Sequence, residues 1–202
     1  MTTKISKRAF EWALIFGFIC SVFCSMASFD ANCEELRDNV LRLHIIANSD
    51  SQADQELKLK IRDAVLAQSD ALFEESANLN LALKKAEENL AVYEKIANRV
   101  IVEEGLNYRA TAKIGKTFFE TREYDDFTLP AGEYDALIVE IGEARGKNWW
   151  CVIFPGVCVP TQKADLKDSV GQKSAQIAEN PRPYKIRFKS VEIYEKIKRK
   201  LK

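Results

Sequence analysis

The sequence has little histidine, the side chain that enzymes use most often for acid–base chemistry near neutral pH. It contains one histidine, His44, and five cysteines among 202 residues. Ser-His and Cys-His nucleophiles need an imidazole within hydrogen-bond reach, so a pair of Cys151 with His44 is the dyad to consider. His44 lies in an alternating strand pattern, where packed or solvent-facing histidines are far commoner. We therefore predict no catalytic residue, and no metal site or other cofactor.

The sequence also has no excess of positive or of negative charge. Thirty basic and thirty acidic residues give a formal net charge of +0, so no overall positive field favours a nucleic-acid partner. The eight glycines are scattered and form no phosphate-binding loop. A hydrophobic content of 47% at this length suits one globular domain. We predict a single domain that does not bind nucleic acid.

Charge is missing altogether from one stretch near the N-terminus. No charged residue lies between Trp12 and Phe29, and a basic segment precedes this run. An apolar helix beside a positive flank inserts into a membrane and leaves that flank in the cytoplasm. We interpret residues 1–31 as an export segment, either a signal peptide or a signal anchor. Residues 32–202 are then one extracytoplasmic domain.

The export segment has features of both a cleaved and a retained signal. Ser25-Met26-Ala27 is a small-x-small cleavage site, whereas the apolar run nearly reaches the ~20 residues that span a bilayer. Glu11 and several small residues weaken a permanent anchor, so the pattern favours cleavage. A buried soluble helix is a third alternative, but its apolar residues would form one stripe rather than run all round the helix.

The remaining chain alternates between strand and helix patterns. Alternation predicts a half-buried strand at 41–45, and Ser51 with Asp54 resembles a capping box that opens an amphipathic helix. A second helix is predicted from Asn80 to Glu104, with Gly105 as its C-terminal stop. A third segment, residues 108–114, alternates as a strand.

The C-terminal half is predicted to complete a sheet. Residues 134–141 and 148–154 are predicted as antiparallel neighbours joined by a Gly-flanked loop at 142–147. The polar stretch 160–183 is predicted to be a mobile loop with one weak helical turn, and alternating Tyr184, Ile186 and Phe188 a last strand. The fold class is thus α+β, with two main helices packed on a mostly antiparallel sheet after the export segment.

Cys151 and Cys158 enclose a short loop that contains Pro and Gly. In an exported protein such a pair indicates a disulfide, which would add about 2–3 kcal/mol. Two buried free thiols are the alternative.

Three further groups have two interpretations each. Asp50 and Asp54 could bind a cation, although helix capping explains both. The basic tail, residues 196–202, could touch an anionic membrane, although a solvated terminus is commoner. Trp149 and Trp150 point to opposite faces of a strand, so one is expected in the core and the other could contact a partner.

Three strings together resemble one protein family. They are IANSDS at residues 46–51 followed by DQELKLKIRDAV at 54–65, LPAGEY at 129–134, and GKNWWCVIFP at 146–155. Their order and spacing resemble the stage II sporulation protein R family from about Leu41 to Cys158. The family often has a second proline and an aromatic residue near the second cysteine, whereas this chain has Gly156-Val157-Cys158-Val159.

The resemblance implies a signalling role in sporulation. Such a protein would be exported from the forespore into the space between two membranes. There it would activate a membrane-embedded protease that processes the early mother-cell sigma factor. We therefore expect that protease as the partner, with the membrane as a second partner if the N-terminal segment is uncleaved. The candidate partner-binding residues are Asn48, Asp50, Lys58, Arg62, Asn148, Trp149 and Trp150.

Two other functions remain open at this point. The first is an exported cysteine-dependent hydrolase acting on the cell wall, which would use Cys151. The second is a structural module that binds the cell envelope.

Overall fold

The computed structural model describes residues 7–73, 76–124, 127–156 and 170–201. The helices are α1 (Lys7–Arg37), α2 (Gln52–Phe73), α3 (Leu79–Glu88), α4 (Leu90–Glu103), α5 (Gln172–Glu179) and α6 (Lys185–Leu201). The strands are β1 (Leu41–Ile46), β2 (Ala110–Phe119), β3 (Arg122–Glu123), β4 (Thr128–Leu129), β5 (Gly132–Ile141) and β6 (Asn148–Phe154). Strands β3 and β4 form a small antiparallel pair of their own.

The main sheet has the strand order β2-β5-β1-β6. Strand β1 runs parallel to β5 and antiparallel to β6, and β2 runs antiparallel to β5. The predicted class, α+β with a mostly antiparallel sheet, is confirmed. The prediction that β5 and β6 are direct neighbours is wrong, because β1 lies between them. Strand β1 is buried on both faces, Arg42 and His44 included, so a central position suits it better than an edge.

Helices cover both faces of this sheet. On the first face, α2, α3 and α4 pack over alternate strand residues such as Leu43, Ile45, Leu137 and Val139. On the second face, Tyr134, Ala136 and Val152 pack with residues from the end of α1 and from α5. The two predicted main helices therefore form one layer, and α1 with the C-terminal helices forms a second.

The helix predicted from Asn80 to Glu104 is divided at Asn89. The Asn89 side chain donates to the Lys85 carbonyl (2.8 Å), and its backbone leaves helical geometry, so α3 ends and α4 begins there. Asn78 caps the start of α3 by accepting from the Leu81 amide (3.0 Å). The predicted stop at Gly105 is confirmed, because Gly105 has a left-handed φ of 69° immediately after α4.

Helix α1 belongs to the apolar segment and to the folded domain at once. It is the one helix in the described ranges that is long and apolar enough to cross a membrane. The export segment was predicted to end at residue 31, and the helix continues through that position to Arg37. Phe29, Cys33 and Leu36 on its last turns are buried in the domain.

The C-terminal region is helical where a loop and a strand were expected. Part of the stretch 160–183 forms α5, with Ser174, Ala175, Ile177 and Ala178 buried, and residues 160–169 lie outside the described residues. The last predicted strand is wrong, because residues 185–201 form α6. The alternation over residues 184–188 fits a strand. Over the longer segment, however, the buried residues recur at helical spacing; they are Phe188, Val191, Glu192 and Glu195.

Candidate functional site

One loop crosses the end of the central strand. Residues 142–147, here called the crossing loop, connect β5 to β6 and must pass over the C-terminal end of β1, which separates those strands. The Gly146 amide donates to the Ala47 carbonyl (2.8 Å), and the Arg145 amide donates to the Asn48 carbonyl (3.2 Å). The loop is therefore bound by its backbone to the residues that follow β1.

Two predicted partner-binding residues hold the same loop. The Asn48 side-chain carbonyl accepts from the Glu143 amide (3.0 Å). An Asp50 carboxylate oxygen accepts from the Lys147 amide (2.7 Å). Both side chains make structural contacts within the chain that the sequence did not reveal.

Asp54 organises the turn between β1 and α2. Its carboxylate accepts from the Asn48 amide group (2.9 Å) and the Ser49 hydroxyl (2.5 Å), and it is 3% exposed. The Asp54 backbone amide donates to the Ser51 hydroxyl (3.2 Å), as helix capping predicts. In the described ranges no group of three or more His, Cys, Asp or Glu residues could hold a metal ion. Ser51 therefore caps the helix, whereas the Asp54 carboxylate is bound by the side chains of Asn48 and Ser49.

Lys58 connects helix α2 to the crossing loop and is not exposed for contact with a partner. Its side chain is buried, and the ammonium donates to Gln55 Oε1 (2.6 Å) and to the Lys147 carbonyl (2.9 Å). Burial lowers the pKa of Lys58 below its ordinary value, while the neighbouring Asp50 carboxylate opposes that shift. The expectation of an exposed Lys58 was wrong, because its amine spans from α2 to the crossing loop.

Arg62 lies on the same face of α2, one turn beyond Lys58. Its guanidinium carbon is 4.5 Å from the centre of the Trp149 ring, and its Nε donates to Asp63 (2.7 Å). Trp149 packs against the hydrophobic core on the first face of the sheet, which α2 covers. Arg62 and Trp149 therefore form a half-buried pair at the margin of α2 and β6.

Asn148 and Trp150 contact His44 on the second face of the sheet. Asn148 Oδ1 lies 3.0 Å from His44 Nε2, and the Trp150 ring centre is 6.3 Å from that of His44. Trp150 also packs edge-on against Phe119. The two tryptophans point to opposite faces as predicted, but both are half-buried.

The geometry separates the two members of the candidate dyad. In the register of β1 and β6, Cys151 pairs with Leu43 on the first face, whereas His44 pairs with Trp150 on the second. Cys151 is also disulfide-bonded, and Cys20, Cys24 and Cys33 are free. Its predicted partner Cys158 lies outside the described residues, so this pairing stays a prediction. A hydrolase using Cys151 and His44 gains no support.

The side chains that stay exposed, and are therefore available to a partner, lie at the edge of the crossing loop. Exposed residues there form what we call the loop surface: Asp50, Glu143, Arg145, Lys147 and Asn148. Arg145 and Lys147 were missed as candidates, although two charged residues beside glycines in a loop were visible in the sequence. Arg145 pairs with Glu143 within the loop, and both side chains remain mostly exposed.

Together these observations define a class of protein: an α+β domain that continues directly from one apolar helix and presents a charged loop held by hydrogen bonds of its backbone. The family model described as Stage II sporulation protein R (spore_II_R) matches residues 37–164, more than half of the chain. The chain therefore belongs to the stage II sporulation protein R family, and its role lies in sporulation. The match contains β1 to β6 and α2 to α4.

A curated relative is similar over the same region. Stage II sporulation protein R of Bacillus subtilis (strain 168) is 37% identical over 121 residues, which cover 60% of this chain and 54% of the relative. The matched region thus spans about half the length of that relative. No solved structure matches the chain.

Proposed function

We propose that this chain is an intercellular signal of sporulation that activates a membrane-embedded aspartic protease. It would be exported from the forespore into the space between the two membranes. The protease would then mature the early mother-cell sigma factor. Membership of the stage II sporulation protein R family is the observation that carries this proposal. The apolar part of α1 is compatible with export or membrane anchoring.

The loop surface is the part of the domain that we propose binds the protease. Backbone amides of residues 143, 145, 146 and 147 donate to groups at residues 47, 48 and 50, and Lys58 binds the carbonyl of Lys147. A loop held in this way loses little conformational freedom on binding. The loop surface therefore presents charges of both signs, from Arg145, Lys147, Glu143 and Asp50, on a backbone that is already ordered.

Activation would follow from unequal affinity for two states of the protease. A ligand shifts a conformational equilibrium only as far as it binds one state more tightly than the other. Contact between the loop surface and the extracytoplasmic part of the protease would favour the active arrangement. In this proposal the chain needs no catalytic group of its own, consistent with the separation of His44 from Cys151.

Co-expression in a non-sporulating host tests the activity. The full chain is produced with the protease and its pro-sigma substrate, and the substrate is followed by immunoblot. The shortened substrate should appear only when the chain is present and carries its export segment. Processing that is equal without the chain, or equal when residues 1–27 are deleted so that buried Phe29 is kept, would contradict the proposal.

Charge reversal tests the loop surface in the same assay. Arg145→Glu with Lys147→Glu should reduce processing strongly, because both side chains are exposed and the tethering hydrogen bonds come from their backbone atoms. Lys84→Glu with Arg99→Glu is the matched control, since these exposed cations lie on α3 and α4. Equal processing by both double variants at equal protein levels would reject this surface.

A further inference from the structure

Helix α6 has a second apolar face that the described parts of the chain leave uncovered. Phe188, Val191, Glu192 and Glu195 form its buried face. The opposite side is at least half exposed at Ile186 (83%), Ile193 (52%), Tyr194 (54%), Ile197 (52%) and Leu201 (83%). At 100° per residue these five side chains fall within one stripe of the helix. A stripe of this size on a helix that is already packed needs a partner outside the domain.

Basic residues line both margins of this stripe. Lys189, Lys196 and Lys200 lie along one margin, and Arg187 and Lys198 lie along the other. Helix α6 contains seven basic and two acidic residues, a net charge of +5. Both acidic residues are on the buried face, where Glu192 pairs with Lys189 (3.1 Å) and Lys196 (2.9 Å). An apolar stripe between rows of lysine and arginine is typical of helices that lie in a membrane interface.

The position of α6 places that stripe beside the membrane segment. A cleft between the two helices is lined by Phe23, Met26, Ala27 and Asp30 of α1, and by Ser190, Val191 and Tyr194 of α6. The Phe29 and Phe188 rings meet edge-on, with centres 5.2 Å apart. The charge-free run of α1 ends at Phe29. Helix α6 therefore contacts α1 at the level where a membrane-spanning helix would leave the bilayer.

We propose that α6 is an interfacial helix that binds an anionic phospholipid surface. Its apolar stripe enters the boundary between headgroups and acyl chains, and the flanking amines and guanidinium groups pair with lipid phosphates. A second copy of the chain fits this face poorly, because two helices of net charge +5 would oppose each other. The inference concerns a surface outside the family match at 37–164 and does not depend on the proposed action on a protease.

A site-specific fluorescent label on the full chain tests the proposal. The background protein carries Cys20→Ser and Cys24→Ser. Cys33 is fully buried and Cys151 is disulfide-bonded, so neither reacts. Labelling of the background protein gives the blank, which includes any reaction at Cys158. Ile193→Cys reports on the stripe. Val102→Cys on α4 is the control, because it is also an exposed aliphatic residue (73%) but lies on the helix layer across the sheet.

Each labelled protein is reconstituted into vesicles of phosphatidylcholine alone or mixed equally with phosphatidylglycerol. An environment-sensitive nitrobenzoxadiazole group at position 193 should emit at shorter wavelength and higher intensity in the anionic vesicles, and the group at position 102 should not. Lys198→Gln with Lys200→Gln should reduce the change at position 193. Lys84→Gln with Lys95→Gln, on α3 and α4, should leave it intact.

Three results would overturn the proposal. The first is an emission at position 193 that matches position 102. The second is an equal shift in vesicles without phosphatidylglycerol, since the basic margins would then have no role. The third is a shift that grows with the protein-to-lipid ratio, which indicates a second copy as the occupant. No protease is present in this experiment, so its outcome is distinct from that of the processing assay.

Discussion

Asp54 shows how one buried carboxylate can organise a turn. Burial tends to raise the pKa of Asp54, but hydrogen bonds from Ser49, Asn48 and Ser51 lower it more, so the pKa lies below its ordinary value. The carboxylate is therefore ionised in the fold. Because Asn48 also binds the crossing loop, Asp54 supports that loop indirectly.

Replacing this carboxylate should weaken the domain in a pH-dependent way. We expect Asp54→Asn to lower the free energy of unfolding by about 1–3 kcal/mol near pH 7. A depressed folded pKa gives stability that is present above the unfolded value of about 3.9 and is lost as pH falls through the folded pKa. Denaturant titrations at several pH values should show this acid loss in the parent and less of it in the variant.

The exposed Asp38 provides the control for Asp54. Asp38→Asn should change the unfolding free energy little at any pH, because its described hydrogen bond uses the backbone amide. Equal effects of the two substitutions would contradict the role given to Asp54.

The single histidine gives a second, separate pH dependence. Burial lowers the pKa of His44, although the hydrogen bond with Asn148 opposes the shift. The unfolded chain then takes up a proton near pH 6.5 before the folded chain does. The unfolding free energy should fall below that pH, by up to about 1.4 kcal/mol per pH unit, until the folded pKa is reached.

A glutamine substitution isolates the His44 effect. His44→Gln removes the only histidine in the chain, so stability measured between pH 7.5 and pH 5.5 should become nearly flat. An unchanged slope in the variant would assign the pH dependence to another group.

At the scale of elements, the crossing loop is held by close approach of its backbone to the turn after β1. A side chain at Gly146 would place its Cβ 2.2 Å from the Ser49 carbonyl oxygen and 2.5 Å from the carbonyl carbon. Both atoms belong to the backbone and cannot rotate away. Glycine is therefore required at this position by contact rather than by an unusual φ.

The alanine variant at this glycine should loosen the loop. We expect Gly146→Ala to cost about 1–3 kcal/mol of unfolding free energy, as other overpacked sites do. Hydrogen exchange at the amides of residues 145–147 should become faster. Gly115→Ala in β2 is the matched control, because its new Cβ would meet only a side-chain methyl at 3.4 Å. Equal costs at both positions would show that the contact at residue 146 is not decisive.

Element types could be predicted from the sequence only where the pattern was long or had strong end signals. The capping residue Ser51 and the stop at Gly105 predicted helix ends that the structure confirms. Alternation over Tyr184 to Phe188 was too short to distinguish a strand from α6. Asn89 divided a helix through its own side-chain hydrogen bond, which periodicity does not reveal.

The partner-binding role of the candidate residues stays a prediction, but several of them make contacts within the chain that the sequence did not indicate. Asn48, Asp50 and Lys58 all bind the crossing loop, and Asn148 directly follows that loop. Their contacts depend on β1 lying between β5 and β6, and strand order is not readable from a local pattern. Lys58 looked exposed because its binding partner, the Lys147 carbonyl, lies 89 residues away.

For the whole molecule, α1 joins the apolar segment and the domain without a break. A cut after Ala27 would leave Phe29, Cys33 and Leu36 attached to the domain, where all three are buried. Cleavage at the predicted site is thus compatible with an intact fold. Whether the chain is cleaved stays a prediction.

Two shortened chains test the contribution of α1 to the domain. A chain that begins at Ser28 should fold cooperatively. One that begins at Asp38 should be less stable by about 5 kcal/mol or more, because three buried apolar side chains are lost. Urea unfolding followed by circular dichroism compares them. Coinciding midpoints would mean that the last turns of α1 add nothing to the fold.

The placement of β1 between β5 and β6 sets the order in which the protein can assemble. Synthesis proceeds from the N-terminus, so β1 is complete at Ile46 long before β5 begins at Gly132, and both of its hydrogen-bonding edges stay vacant meanwhile. Closing such a long stretch of chain is slow. Strand β1 therefore stays without its neighbours until β5 and β6 have been made, and a product truncated before Gly132 cannot form the native sheet.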